Sequence, residues 1–242
     1  MLEKDDGIVL TATRSGDTSL LATFLGRTTG KIRLLAKGVL TARHTARGLL
    51  ESGNHLEVLY YTREGRTMSF LKEAMLLNAP SRPRDSLPHM AVMLAVMELL
   101  NQVCYAGAAD AGIVDLGVEC IRAPAAADPL LVFLSFEMRL LGLLGAEPDL
   151  FACAACGREL STGSYSARSG EARCSDHSDH ADGVTLDPAL IGLAALCGER
   201  PLAEICEMTV QPSSRKALGE ILHWTYTFHV QGYSLPNSLN LI

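Results

Sequence analysis

The sequence predicts an α+β chain: an N-terminal five-stranded β-barrel of the OB type, followed by an all-helical domain that carries a polar, cysteine-bearing insertion. Two observations set this class. Five short runs of β-branched, aliphatic and aromatic residues, separated by turn residues, occupy the first eighty positions. Beyond Pro80 and Pro83 the apolar residues recur every three or four positions, the helical period. A third, the Cys/His spacing inside the second part, sets the insertion. The expected division is a barrel domain over 1–79 and a helical domain over 84–242, with the insertion at about 150–183.

The predicted strands are Gly7–Thr13, Ser19–Leu25, Lys31–Lys37, His55–Tyr61 and Thr67–Leu71, divided by the turn signals Ser15-Gly16-Asp17, Thr29-Gly30, Ser52-Gly53-Asn54 and Arg63-Glu64-Gly65-Arg66. Side chains alternate along a strand. In the third strand Ile32, Leu34 and Ala36 therefore share one face, suited to a barrel interior, while Lys31, Arg33, Leu35 and Lys37 share the other. Arg43, His44 and Arg47 follow, with no Asp or Glu between Lys31 and Leu50. Such a cluster can follow a phosphate backbone, although a solvated strand face also commonly carries Lys and Arg to discourage edge pairing. Aromatics are few in this part: Phe24, Tyr60, Tyr61 and Phe70. Tyr60 and Tyr61 must face opposite ways, so at least one belongs to the core.

Predicted helices cover Leu87–Ala106, with Met90, Met93, Leu94, Met97, Leu100 and Val103 on one stripe, and Ala109–Arg122. Asp128-Pro129 is a helix start, with an N-cap followed by proline in the first turn. It opens Leu130–Leu144, apolar nearly all round, with Gly145 at its end. Asp187-Pro188 opens another helix. Pro201–Met208 reads as a short helix, and Ser213 as the cap of a long one carrying Leu218, Ile221, Leu222, Thr225 and His229 on one face. The apolar stretches are too short and too often interrupted by charge to span a bilayer.

The insertion holds the most specific chemical signal. Cys153 and Cys156 form a Cys-x-x-Cys pair followed by Gly157; Cys174 and His177 repeat the spacing, with His180 as a reserve ligand. Two such turns facing each other supply four ligands to a tetrahedral zinc ion. The intervening residues are polar, with Tyr165 as the single aromatic, so a structural metal is expected to stand in for a core. A catalytic zinc keeps an open position, which a four-ligand site lacks; Glu159, the nearby carboxylate, is the base that a hydrolytic reading would need.

Composition bounds the function further. The net charge is −6, which argues against bulk attraction to nucleic acid, but its distribution is uneven: residues 1–80 hold 11 Lys/Arg against 8 Asp/Glu, and residues 81–242 hold 10 against 19. The polar, acidic start at Met1–Asp6 does not resemble a secretory signal, so the seven cysteines are expected in a reducing compartment, where paired cysteines favour metal over disulfide. Cys104, Cys120, Cys197 and Cys206 read as small buried hydrophobes. A Gly-rich phosphate loop, a Gly-x-Ser-x-Gly elbow and a His-Glu-x-x-His motif are all missing from the sequence.

The order of these features resembles the bacterial RecO family of DNA repair and recombination proteins. GIVLTATRSGDTSLLATFLGRTTGKIRLLAKG is similar to that family's first three strands, Cys153, Cys156, Cys174 and His177 fall on its zinc positions, and FHVQGYSLPNSLNLI resembles its closing segment. The resemblance implies a non-enzymatic, cytoplasmic, nucleoid-associated recombination mediator without a membrane partner. It implies binding of single- and double-stranded DNA through Lys31, Arg33, Lys37, Arg43, His44 and Arg47, annealing of complementary strands, a structural Zn2+, and cooperation with RecR and single-strand-binding protein in loading RecA. The rival expectation is a zinc-stabilised barrel that binds protein only.

Overall fold

The computed structural model of the chain describes residues 1–41, 46, 48–62, 68–80, 86–124, 127–178, 183–205 and 210–242, and of Ala203 only the backbone. Strands β1 (Leu2–Ser15), β2 (Ser19–Gly26), β3 (Gly30–Ala36), β4 (His55–Tyr61) and β5 (Met68–Asn78) close into a barrel in the order β1-β2-β3-β5-β4. β1 is twice as long as expected because it serves two neighbours. Its first half pairs with β4, from Leu2↔Tyr61 to Ile8↔His55, and its second half with β2, from Gly7↔Gly26 to Ser15↔Ser19. A bulge between Val9 and Thr11 lets the strand bend as it changes partner. The parallel pairing of β3 with β5 completes the ring. β5 also runs beyond its expected end, to Asn78, along the whole of β4.

The alternation read from β3 holds. Leu34 and Ala36 point inward with Val9, Ala22, Phe24, Leu56, Val58 and Tyr60, and Ile32 packs against them. Val39, Ala46 and Leu50, from the chain after β3, join the same core. Tyr60 is the core tyrosine, and Tyr61 points out.

Outside the barrel, helices α1 (Leu87–Val103) and α2 (Ala111–Arg122) lie against β1. Ile8, Leu10 and Leu25 are buried, although Ile8 and Leu25 pair with each other on the outward side of the ring. Gly117 permits this approach: a Cβ there would stand 2.6 Å from Ile8 Cδ1 and 3.2 Å from Leu100 Cδ1. Arg27 links the layers, pairing with Asp6 on β1 at 3.2 Å and Asp115 on α2 at 2.7 Å. The buried face of α1 is Val92, Ala95, Val96, Leu99, Leu100 and Val103 with Met97, shifted in phase from the expected stripe. Met90 is exposed and Met93 and Leu94 are only partly buried, because small and β-branched residues allow closer packing than Met. The C-terminal segment returns to this unit. Its 3-10 turn, Asn237–Leu241, packs on α1, where Glu98 accepts hydrogen bonds from the Asn237 amide (2.6 Å) and the Ser238 hydroxyl. Met1–Ala125 and Pro236–Ile242 thus form one compact unit, and Ala126–Leu235 a second.

The second unit is built on α3 (Pro129–Leu143), which is buried from Leu131 through Met138 and again at Leu140 and Leu141. The Asp128 carboxylate caps it, accepting from Leu130 and Leu131, and also receives Arg215. Helices α4 (Pro188–Glu199), α5 (Leu202–Ile205) and α6 (Pro212–His229) pack around it. α6 starts at Pro212 after Gln211, so proline in the first turn, rather than Ser213 as a cap, sets its beginning. Residues 206–208 of the short helix expected to follow Pro201 lie outside the described residues. The insertion departs from the expectation of a polar segment without a core. It contains a three-stranded sheet, β6 (Gly163–Ser166), β7 (Glu171–Arg173) and β8 (Val184–Leu186), in the order β7-β6-β8. Tyr165, 2% exposed, anchors the sheet: its hydroxyl lies 3.2 Å from Thr225 Oγ1 on α6 and its ring stacks on Trp224.

Two side chains make this architecture sensitive to change. Asp5, 5% exposed, accepts from the Thr28 amide (3.2 Å), the Thr29 amide (3.0 Å) and the Thr29 hydroxyl (2.7 Å), pinning the β2–β3 turn to β1. Asp5→Ala removes the acceptor of all three bonds from these part-buried donors and is expected to lower stability by about 1–2 kcal/mol, read as the shift of the urea midpoint. Glu137 on α3 is 4% exposed, and burial pushes its carboxyl up to about 8. Between about pH 4.5 and 8 the unfolded chain has lost this proton while the folded chain keeps it, so stability falls as pH rises through that window. Glu137→Gln should remove that decline and raise stability at pH 7.5 by on the order of 3 kcal/mol, measured as unfolding free energy against pH.

Candidate metal centre and nucleic-acid interface

The Cys-x-x-Cys turn is built by its backbone. The Asp149 carboxylate accepts from the Phe151 and Ala152 amides, the Cys153 amide donates to Arg158 O at 2.8 Å, and the Gly157 amide donates to Cys153 O at 2.8 Å. Gly157 adopts φ +71, the left-handed region that such a turn needs and glycine enters at no cost. The Ala154 amide donates to Ala172 O on β7, which fixes the turn against the sheet. The second turn closes through the His177 and Ser178 amides, both donating to Cys174 O. Arg158 and Asp176 join the two turns at their exposed rim, 3.0 Å apart.

These turns bring Cys153, Cys156, Cys174 and His177 together, with the three sulfurs and one ring nitrogen all within 4.8 Å of one another. Cys174 Sγ lies 3.2 Å from His177 Nδ1, Cys153 Sγ 3.9 Å from the same nitrogen, and Cys156 Sγ 4.0 Å from Cys174 Sγ. A tetrahedron with Zn–S bonds of about 2.3 Å has sulfurs about 3.8 Å apart, so the donor set has the size and the chemistry for zinc. Cys153 and Cys174 are buried and Cys156 and His177 exposed, placing the cluster at the margin of the second unit. The backbone amide of Cys174, followed by those of Ala155 and Cys156, draws the Cys153 thiol down to about 6, favouring the thiolate that a metal requires. His180, the reserve ligand, lies outside the described residues. Glu159 is exposed and paired through its backbone with Ala152, outside this set of four donors. By contrast, burial pushes Cys104 and Cys197 up to about 11, as expected for packed, unreactive thiols; Cys120 is buried too, and Cys206 lies outside the described residues.

The basic positions on the barrel separate into three groups. Lys31 is turned toward α1: its ammonium donates to Asn101 O at 2.6 Å, and burial lowers its pKa. Arg33 is exposed and forms no ion pair among the described residues. Lys37 is exposed, with its ammonium 4.9 Å from the centre of the Phe70 ring. Arg43, His44 and Arg47 lie outside the described residues. The local sequence around Phe70 assigns it no face. Its pairing with Leu35 across parallel β3 and β5 places it on the outward face, and a register between distant strands is not written in local spacing.

Family models match nearly the whole chain: residues 1–80 fit the N-terminal region of recombination protein O, and residues 84–238 its C-terminal region. The chain belongs to the RecO family. Among curated RecO-family relatives, the DNA repair protein RecO of Exiguobacterium sibiricum is 25% identical over 226 residues, covering 92% of this chain and 89% of that protein. The DNA repair protein RecO of Prosthecochloris aestuarii is 27% identical over 163 residues, and that of Moorella thermoacetica 30% identical over 155. These two matches cover 66% and 64% of this chain and only 61% and 57% of the relatives' own lengths. Among the described residues no helix is long and apolar enough to cross a membrane.

A bound zinc would join two turns whose internal hydrogen bonds alone are local. Stripping metal with a chelator, or Cys153→Ser, is expected to lower the melting temperature by several degrees. Metal content by elemental analysis should fall from about one zinc per chain to none. A chain that purifies without metal, and melts at the same temperature in chelator, would remove the metal reading.

Proposed function

We propose that this RecO-family chain is a DNA-binding mediator of recombination in DNA repair, with a barrel domain over 1–79 that contacts DNA and a helical domain over 84–242. Membership of the family carries the reading; the outward cations of β3 supply its chemistry. Arg33 on β3 and Lys37, in the turn just past its end, are both exposed, and β3 carries no acidic residue. Arg43, His44 and Arg47, which follow in the sequence, add to the positive charge available to neutralise phosphates on one or two strands. Lowered repulsion between two strands then allows complementary bases to pair, which is annealing. Lys31, already occupied by Asn101, contributes to the field rather than to a direct phosphate contact.

The remaining roles follow from the same membership: cooperation with RecR, engagement of single-strand-binding protein, and loading of RecA onto the strand that protein covers. A chain with these roles would work in the cytoplasm, associated with the nucleoid. The acidic balance of residues 81–242 suits contacts with proteins better than contacts with DNA. Zinc on Cys153, Cys156, Cys174 and His177 is assigned a structural role. Four protein donors fill a tetrahedron and leave no position for substrate, and the chain is read as a non-enzyme.

Four direct phosphate contacts, from Arg33, Lys37, Arg43 and Arg47, should give single-strand affinity a log–log salt slope of about −3. Replacing Arg33, Lys37 and Arg43 together with Ala should bring it close to −1 while leaving the melting temperature in place. A chain that shifts no labelled DNA at low salt would instead favour a barrel that binds protein only.

A further inference from the structure

The outward face of the barrel carries a continuous apolar and aromatic row. Register fixes it: Leu21 pairs with Leu35, Leu35 with Phe70, Phe70 with Tyr61, and Tyr61 with Leu2. Directly paired residues on adjacent strands share a face, with Cβ atoms about 4.5–5.5 Å apart. On the β1 flank the outward residues Ile8 and Leu25 are covered by helices of the same unit, whereas on this row Tyr61 is 46% and Leu2 45% exposed. Arg33, on β3, and Lys37, one residue past its end, stand two residues before and after Leu35. Neither has an ion-pair partner among the described residues. Two adjacent aromatic side chains flanked by two cations without ion-pair partners among the described residues match the chemistry of a strand whose bases are unpaired: flat apolar faces between anionic phosphates.

We propose that Phe70 and Tyr61 form a stacking platform for unpaired bases of single-stranded DNA, with Arg33 and Lys37 receiving the flanking phosphates. This deepens the DNA-binding reading above and rests on it. In the free chain the Lys37 ammonium covers the Phe70 ring. A phosphate competes for that ammonium and draws it aside, which uncovers the ring for a base. Duplex DNA keeps its bases stacked internally and can use only the cations. The platform therefore discriminates single strands from duplex without reading sequence.

The test compares three probes of equal length on the intact chain: oligo(dT), an abasic oligonucleotide and a duplex. The wild-type chain should bind oligo(dT) about tenfold more tightly than the abasic strand. Phe70→Leu and Tyr61→Leu should each reduce that preference severalfold, leaving duplex affinity and the salt slope unchanged. Tyr61 is exposed, so its variant keeps the test open if Phe70→Leu melts early. Phe70→Trp with Trp224→Phe gives a direct readout, since its fluorescence should be quenched by oligo(dT) and not by duplex. Equal affinity for oligo(dT) and the abasic strand overturns the platform while leaving the phosphate reading intact. No binding to any probe overturns both. Loss of self-association in Tyr61→Leu, with the base preference retained, would assign the row to a second copy of the chain and overturn the platform.

Discussion

A five-stranded ring gives each strand two neighbours, so the main-chain donors and acceptors in paired register are consumed in closing it. What remains for function is the outward side-chain array, and everything on it depends on which positions are already covered. Helices α1 and α2 cover the flank at Ile8 and Leu25, and α1 takes the ammonium of Lys31. Among the described residues no helix covers the outward row where β3, β5 and β4 meet, and it is there that exposed Arg33, Lys37 and Tyr61 and part-buried Phe70 lie. The partition depends on Asp5, which holds the β2–β3 turn, and on Gly117, which admits α2 to the barrel.

The Cys/His cluster obeys a different logic. Its ligands come from two short turns, each closed by its own backbone hydrogen bonds, and the sheet between them is tied to α6 through Tyr165. A small sheet of three short strands buries little on its own. Tyr165 supplies the apolar anchor on one side, and the four converging ligand atoms supply the opportunity for a second anchor on the other. A metal here would fix how the two turns face each other, while the helices already define the surrounding unit.

Local features were legible in the sequence. Alternation along β3, the caps at Asp128 and Asp187, and the Cys/His spacing all report on neighbours within a few residues, and each was found in place. Long-range pairing was not legible. The length of β1 follows from its serving two strands, and the outward position of Phe70 from a parallel partner some thirty-five residues away. The second half of the expected α1 stripe, Met97, Leu100 and Val103, is buried, whereas in the first half Ala91, Val92, Ala95 and Val96 are buried in place of Met90, Met93 and Leu94, because Met and Leu carry the strongest apolar signal. The sheet inside the insertion was missed for the opposite reason: its strands are three or four residues long and mostly polar. For the site, the four convergent ligands were readable, but the diversion of Lys31 to Asn101 depends on the approach of α1 and was not.

The return of Pro236–Ile242 to the N-terminal unit has a consequence for how the protein is made. The barrel and its two helices are translated before the segment that packs on α1 and hydrogen-bonds to Glu98. The whole of Ala126–Leu235 must be produced in between. The first unit therefore waits, with that surface of α1 uncovered, until Pro236–Ile242 has been translated, and a chain that stops before Pro236 leaves it uncovered. Completion of the first unit thus records that the second has been translated, so a product truncated before Pro236 leaves α1 uncovered far upstream of its defect.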